Sequence, residues 1–394
     1  MGHHAVTWHH LGVTGQSLAV GQTAIGTVST NEHPSNTGRP SGVGFTTLIT
    51  GTERPDMALA IDTYKCFRDN LSNSGAFVST ATSGAGGTMY VGLKKGTATY
   101  TELMAQVTKF DTDSGGAGTV DGFHIIHGET DAWNGTGRDV YLGYLMEWQA
   151  DYNTDAKAIT AQVPNIHAFF SQPWESSMPT TSSEAMVLAH KQSALHHLVG
   201  PRYFLQRSDN VHLTAAGYQM LGRYHAKAQA AVLRGETWSP LLPSSIVRTG
   251  AVVVATFPTA TPLQFDTTTV AAQASQGFAY TDTNGTATIS SVAITGASSN
   301  EVTITLSAVP TGFGSRLRYA ANGVGQQGNL RNSSATLPDW GCHFVEVVAT
   351  STPTPVDPPV VPPVVSPTGL TVRFAGVDRT VSSVRLGGVE RTLT

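Results

Sequence analysis

Over the first 235 residues the chain alternates short apolar runs with stretches of helical periodicity. The runs Val6–Val13, Ala76–Thr82, Gly122–His127, Asn165–Ser171 and Arg202–Gln206 read as strands. Helices are predicted over Asp56–Asn70, Tyr100–Phe110, Arg138–Tyr152, Ser182–Leu198 and Ala215–Leu233. In the first of these, Met57, Ala60, Ile61 and Tyr64 fall at i, i+3, i+4 and i+7, so one face is apolar. Strands alternating with helices of this length imply βαβ units. The expected product is a three-layer α/β fold around a doubly wound, parallel, flavodoxin-like sheet. In such sheets the site forms in loops at the carboxyl ends of the strands.

The texture changes at Trp238-Ser239-Pro240. From 246 to 350 helical periodicity nearly vanishes, and β-rich runs appear at Gly250–Phe257, Thr286–Ile294, Glu301–Leu306 and His343–Val348. Turn signals such as Asn284-Gly285 and Asn322-Gly323 separate them, which predicts a β-sandwich-like module. The stretch 352–367 is rich in Pro and Val and reads as an extended spacer. After it, Val372-Arg373-Phe374-Ala375-Gly376-Val377-Asp378-Arg379-Thr380-Val381 recurs twelve residues later as Val384-Arg385-Leu386-Gly387-Gly388-Val389-Glu390-Arg391-Thr392-Leu393. Each copy looks like two short strands about a Gly-containing turn. Such a pair buries no core of its own; it is either a frayed tail or a docking element that adds strands to a partner. The expected division is therefore an α/β domain over 1–238, a β-rich domain over 239–350, a linker over 351–367 and a duplicated β tail over 368–394.

Composition narrows the partners. Charged residues make up 13% of the chain and the net charge is −4, with no basic run, so no nucleic-acid partner is expected. No run of about eighteen apolar residues occurs, so no membrane span is expected. Met1-Gly2-His3-His4 has neither a basic nor an apolar leader segment, so no signal peptide is expected. The two cysteines, Cys66 and Cys342, are far apart and do not make a disulfide framework, although one bridge between them stays open.

Four motifs follow predicted strands. Gly15-Gln16-Ser17 ends the first; a Ser at a strand-to-helix turn presents its hydroxyl above the sheet edge. Gly84-Ala85-Gly86-Gly87-Thr88 follows the second, where a Gly-rich turn can aim backbone N–H groups at an oxyanion. No Lys-Ser/Thr follows it, which disfavours a nucleotide loop. His127-Gly128-Glu129-Thr130-Asp131 follows the third. Ser208-Asp209-Asn210-Val211-His212 precedes the last long helix. There an Asp and a His three residues apart can lie side by side, the carboxylate holding the imidazole while its other nitrogen faces a nucleophile. The same residues, with Thr214, could equally cap that helix.

Taken together, in this order, the motifs over residues 5–235 resemble the SGNH hydrolases, and among them the sialate O-acetylesterase-like carbohydrate esterases. The resemblance implies Ser17 as nucleophile and first oxyanion donor, Gly87 as second donor, His212 as general base and Asp209 as its orienting partner. Gln16, Gly128, Glu129 and Asp131 would support them. That family shows His-Gln-Gly-Glu at the third block; here His127 stands where the Gln is expected, and its ring N–H would serve as third donor. Glu129 would order the loop. No cofactor or metal is implied, and the substrate would be an O-acetylated carbohydrate. Gly328-Asn329-Leu330-Arg331-Asn332-Ser333 resembles a stretch that follows such domains in phage-associated proteins. The Pro-rich linker, the repeated tail and the low charge content support an alternative of another class: a virion tail or receptor-binding protein whose esterase fold is inactive or incidental, virion-associated or otherwise cytoplasmic or non-classically exported, with tail partners through 368–394 and the homo-oligomeric state left open. A lipase is less favoured because no apolar lid segment is apparent.

Other residues have plainer readings. His9 and His10 sit in one strand and point to opposite sides, which makes them poor joint metal ligands. His196-His197 reads as a solvated helix end. Trp148 and Trp340 read as core, whereas Trp133 and Trp174 follow strand ends and are open to a sugar-stacking role.

Overall fold

In chain order the α/β half runs β1 (Thr7–Gly15), β2 (Thr37–Pro40), β3 (Phe45–Thr46), α1 (Pro55–Asn70), β4 (Ala76–Gly84), α2 (Ala98–Asp113), β5 (Gly118–Ile126), α3 (Glu129–Trp133), α4 (Arg138–Thr160), β6 (His167–Gln172), α5 (Thr181–Gln192), β7 (His196–Pro201) and α6 (Ala215–Leu233). The computed structural model describes residues 6–30, 32–174, 178–321, 327–351, 371–374, 377–380, 383–386 and 389–392. Residues 352–367 of the expected linker, the Asn322-Gly323 turn and His3-His4 lie outside them.

The sheet order is β3-β2-β4-β1-β5-β6-β7. All neighbours are parallel except the edge pair β2 and β3, which is antiparallel. β1 lies at the centre and is buried from His10 onward, as a parallel strand covered on both faces must be. Its side chains alternate between the two layers. Leu11 and Val13 join the core shared with α1 and α6, where Leu59, Tyr64, Tyr218 and Leu221 pack. His10 turns the other way and stacks on Phe110 of α2, 4.9 Å between ring centres. There α2, α4 and α5 enclose Leu103, Phe110, Leu145, Trp148 and Met186. His9 faces the α1 side against Phe67, so the two histidines do point apart. This is a three-layer α/β/α arrangement.

Two predicted elements are corrected. The helix expected over Ser182–Leu198 stops at Gln192, because Ser193 turns extended (φ −142°, ψ 128°). The residues that follow supply β7, paired with β6 from Ala168↔His196 onward. His196 and His197 are therefore buried strand residues, 3% and 8% exposed, and not a solvated helix end. The strand expected over Arg202–Gln206 is irregular chain.

The β-rich half runs β8 (Ser245–Thr249), β9 (Val252–Thr256), β10 (Leu263–Phe265), β11 (Phe278–Thr281), β12 (Ile289–Thr295), β13 (Glu301–Leu306), β14 (Arg316–Tyr319), β15 (Leu330–Asn332), β16 (Phe344–Val347) and β17 (Ala349–Thr350). They form a five-stranded sheet β12-β13-β9-β8-β17, a three-stranded sheet β11-β14-β16 and the pair β10-β15. Alternate residues Val253, Ala255, Val302, Ile304, Leu317, Tyr319 and Phe344 are buried, as in a sandwich interior.

Met1–Thr350 form one compact unit, and side chains show how its halves meet. Trp340 stacks on Phe204 with 4.8 Å between ring centres. Tyr203 donates its O–H to the Gly341 carbonyl at 2.8 Å. At the end of β6, Gln172 donates to His343 O and accepts from His343 N, both at 2.8 Å. The misread Arg202–Gln206 segment is thus apolar because its rings meet the second half.

Ser351–Thr394 are a second unit. In it β18 (Thr371–Phe374) pairs antiparallel with β19 (Val377–Thr380), and β20 (Ser383–Leu386) with β21 (Val389–Thr392). The repeated sequence thus makes a repeated hairpin in the same register. Cys66 and Cys342 are both free and buried. Among the described residues no helix is long and apolar enough to cross a membrane.

Candidate active site

Ser17 sits just beyond the end of β1 and is 4% exposed. Gly15 makes the turn possible. Its φ is +144°, and a Cβ there would lie 1.9 Å from the Ile126 carbonyl oxygen, so no larger residue fits between β1 and β5. The chain then curls tightly, with Ala19 N donating to Gln16 O at 2.9 Å and Gln22 N to Ser17 O at 3.0 Å. The Gln16 side chain is buried and accepts from Thr130 N at 3.2 Å, tying the Ser17 turn to α3.

The Gly-rich loop lies beside it. A Cβ added to Gly86 would stand 3.9 Å from Ser17 Cβ. Gly87 has φ +61°, a conformation in which glycine is least strained. Ala85 N donates to Gly15 O at 3.1 Å, which anchors the start of the loop to the end of β1.

The Asp209–His212 pair enters after β7. His212 Nδ1 and Asp209 Oδ2 are 2.8 Å apart, and Asp209 Oδ1 accepts from Val211 N at 2.7 Å and His212 N at 2.6 Å. Partial burial pushes the Asp209 carboxyl upward, but these backbone and ring donors outweigh it and hold it below the ordinary carboxylate range. The helix cap is a separate residue: Thr214 Oγ1 accepts from Gly217 N at 3.2 Å. Asp209 is thereby left to the histidine. Two bonds fasten this segment to the Ser17 turn, Thr23 Oγ1 to Ser208 Oγ at 2.9 Å and Tyr218 O–H to Gln22 O at 2.7 Å. Among the described residues, neither the Ser17 hydroxyl nor His212 Nε2 has a hydrogen-bond partner, so each is available to a ligand.

The third block is buried. His127 has 0% exposure and both ring nitrogens engaged, Nδ1 with Tyr141 O–H and Nε2 with Thr88 O, each at 2.9 Å. The expectation that its N–H serves the oxyanion is corrected, because a backbone carbonyl already takes that proton. Asp131 accepts from Tyr90 N at 2.8 Å and from Thr136 Oγ1 at 3.0 Å. Gly128 presents its carbonyl to the Ser182 hydroxyl at 2.9 Å. Glu129 is paired at 2.8 Å with Arg202, itself 1% exposed. Arg202 also donates to Gln172 O at 3.2 Å and His127 O at 3.3 Å.

Arg202, Arg207, Tyr141 and Tyr90 were not singled out from sequence. The one available signal was an arginine heading the apolar Tyr203-Phe204-Leu205 run. Arg207 lies 3.7 Å from the centre of the Trp174 ring. Burial, reinforced by Arg202, pushes its guanidinium down to about 9. Trp133, at the end of α3, is 46% exposed. Among the described residues no group of three or more His, Cys, Asp or Glu is placed to hold a metal.

No family model and no curated protein matches the sequence. Solved structures do match. One is a carbohydrate acetylesterase from Xanthomonas citri, 16% identical, covering 86% of this chain and 80% of its own, with a TM-score of 0.57. The likeness shows a shared fold over most of both chains. A protein from Arabidopsis thaliana (15% identity, 57% of this chain and 98% of that one, TM-score 0.45) and the protein NanS (12%, 59% and 99%, 0.43) also align. Those two scores are too low to carry an argument.

Proposed function

We propose that the chain is a serine esterase that removes O-acetyl groups from carbohydrate, with Ser17, His212 and Asp209 as its triad. One observation carries this reading: the Ser17 turn, the Gly86-Gly87 turn and the Asp209–His212 pair gather at the carboxyl end of one parallel sheet, the segments of Ser17 and His212 being fastened together by the Thr23–Ser208 and Tyr218–Gln22 hydrogen bonds.

His212 Nε2 takes the proton of the Ser17 hydroxyl as Oγ attacks the acetyl carbonyl carbon. Negative charge forms on the carbonyl oxygen, within reach of the backbone N–H groups of Ser17 and Gly87. Asp209 fixes the imidazole by its Nδ1 proton and stabilises the imidazolium. As the tetrahedral species collapses, His212 returns the proton to the sugar oxygen, which leaves as an alcohol. Water then attacks the acetyl-serine with His212 as base, and acetate is released.

Ser17→Ala tests this. Turnover of p-nitrophenyl acetate and of an O-acetylated polysaccharide should fall at least about a hundredfold, with the melting temperature almost unchanged. Residual turnover above that level removes Ser17 from its role. A preference for long-chain esters would favour a lipase instead. A second role, attachment to a partner or a particle, is supported by the duplicated hairpins over 371–392. Pull-down with and without residues 368–394 tests it.

A further inference from the structure

The loop that holds Gly87 contains two consecutive glycines, and such a loop is soft unless something fixes it. Its start is bonded to β1 through Ala85 N. The fastening of its far end comes from the turn after β5. His127 reaches the carbonyl of Thr88 and Asp131 reaches the amide of Tyr90. Gly87 lies between these anchors.

The partners of His127 assign its tautomer. A backbone carbonyl only accepts, so Nε2 must carry the proton toward Thr88 O. Nδ1 is then a lone pair, and the Tyr141 O–H is the donor that satisfies it. Asp131 Oδ2, 3.5 Å from Nε2, favours a proton at that position. The ring is neutral: burial pushes its pKa down, outweighing Asp131, the Thr88 carbonyl and Glu129, which favour the charged form.

We propose that His127 is a positioning residue for the oxyanion loop: through its Nε2 proton on Thr88 O, with Asp131 on Tyr90 N, it sets the direction of the Gly87 N–H, and Tyr141 keeps it in the tautomer that can do so. This rests on the esterase reading for its catalytic consequence, but the anchoring itself does not depend on turnover.

The test has three parts on the full chain. Nitrogen-15 NMR of the imidazoles should show His127 as the Nε2–H tautomer; the Nδ1–H form overturns the proposal. Hydrogen exchange of the bonded amides of Ala85 and Tyr90, which bracket Gly87, should be slow in the native protein, faster in His127→Leu and slow again in His127→Gln, whose amide nitrogen can replace Nε2. With p-nitrophenyl acetate, His127→Leu should lower kcat about 10- to 100-fold with KM within twofold, and His127→Gln should recover most of it. Native exchange and native kcat in a folded His127→Leu protein overturn the proposal, as does a loss seen only in KM. Should His127→Leu not fold, Tyr141→Phe replaces it, since loss of the phenol should free the tautomer and speed exchange in the same segment; unchanged exchange there overturns the proposal. If the native protein hydrolyses no acetyl ester, the esterase reading fails, and the tautomer and exchange results still decide the anchoring.

Discussion

Ser17 is 4% exposed, whereas the side chain of Asp209 is 47% exposed, although both serve one proposed site. The difference runs through each half. On the nucleophile side, Gly15 is wedged against Ile126, Gln16 is bonded to α3, and the Gly86–Thr88 turn is fixed by His127. On the acid–base side, Asp209 and His212 sit on a surface loop that closes mainly on itself, with Ser208 N donating to His212 O at 2.9 Å. In the proposed mechanism the rigid side is where charge would develop on the oxyanion, and fixed donors are worth most there because they need no reorganisation during reaction. In that mechanism the looser side would move a proton, which tolerates adjustment. Substitutions on the acid–base side, and of the Ser17 hydroxyl itself, should therefore cost activity alone, while those of the buried groups that support the Ser17 turn should cost activity and stability together.

The sharpest test of the exposed side is Asp209→Asn. The carboxylate accepts from two backbone amides and from the His212 ring, and the amide cannot orient the ring in the same tautomer. We expect kcat to fall by roughly two to four orders of magnitude, as for triad carboxylates generally, with a melting temperature within a few degrees of the parent. An unchanged rate would point to a Ser–His dyad.

The buried parts of the protein should fail in acid. Burial pushes His10, His124 and His197 down to about 3 and His343 down to about 4. Each folded value lies below the unfolded one, so the unfolded chain binds more protons below about pH 6.5. Stability is full above that pH and is lost as pH falls toward the folded values, at up to about 1.4 kcal/mol per pH unit for each such histidine. Urea unfolding at pH 7, 6, 5 and 4.5 should show a progressive fall. A flat profile over that range would contradict the buried, neutral histidines.

Arg202→Met should expose the structural load on the nucleophile side. It leaves Glu129 charged and buried without its partner, and two carbonyls lose a donor. Breaking such a pair costs about 3–5 kcal/mol, read by denaturant midpoint. The double change Glu129→Gln with Arg202→Met should recover part of the loss; no recovery would mean that the carbonyl bonds matter more than the ion pair.

Trp133→Ala should produce a smaller effect of a different kind. The ring is 46% exposed at the end of α3, which is tied to the Ser17 turn through Gln16 and Thr130. If it packs on a sugar, kcat/KM for an acetylated polysaccharide should fall by about 3- to 10-fold, the scale of an aromatic contact. Turnover of p-nitrophenyl acetate should stay level. An equal fall on both substrates would place Trp133 in the framework of the site.

These contrasts explain what could be seen in the sequence. The layers, most strands and helices, and the four motif positions follow local rules, because strand burial and helix periodicity act over ten or so residues. α6 was legible to its end residues, since Thr214 caps it visibly. β7 was not, because Leu195 and Leu198 fit a helical spacing and only pairing with β6 decides otherwise. Arg202–Gln206 looked like a strand because Tyr203 and Phe204 are apolar for a partner over 130 residues away, at Trp340 and Gly341. Asp209 and His212 are legible because they interact three residues apart. His127 was placed correctly at the strand end but given the wrong acceptor, since Thr88 and Tyr141 meet it only in three dimensions.

The smallest effect should follow removal of everything after Thr350. All proposed catalytic and supporting residues lie in the compact unit Met1–Thr350, and that unit closes on itself through β17, whose Ala349 and Thr350 pair with Val247 and Arg248 of β8. A chain ending at Thr350 should keep its melting temperature and its kcat on p-nitrophenyl acetate within about the ±0.5 kcal/mol typical of changes remote from buried features. Cutting at Glu236 instead should be ruinous. It would strip Trp340 from Phe204, Gly341 from Tyr203 and His343 from Gln172, leaving buried rings uncovered and the Gln172 side-chain oxygen without its donor. The β-rich half is then part of what holds the strand ends beneath the site, whereas residues after Thr350 include none of the proposed site residues. If the chain ending at Thr350 remains folded but loses small-ester turnover, the tail contributes to the site and this division of roles fails; if the chain ending at Glu236 stays folded and active, the α/β half is self-sufficient and the contacts at Gln172, Tyr203 and Phe204 are dispensable.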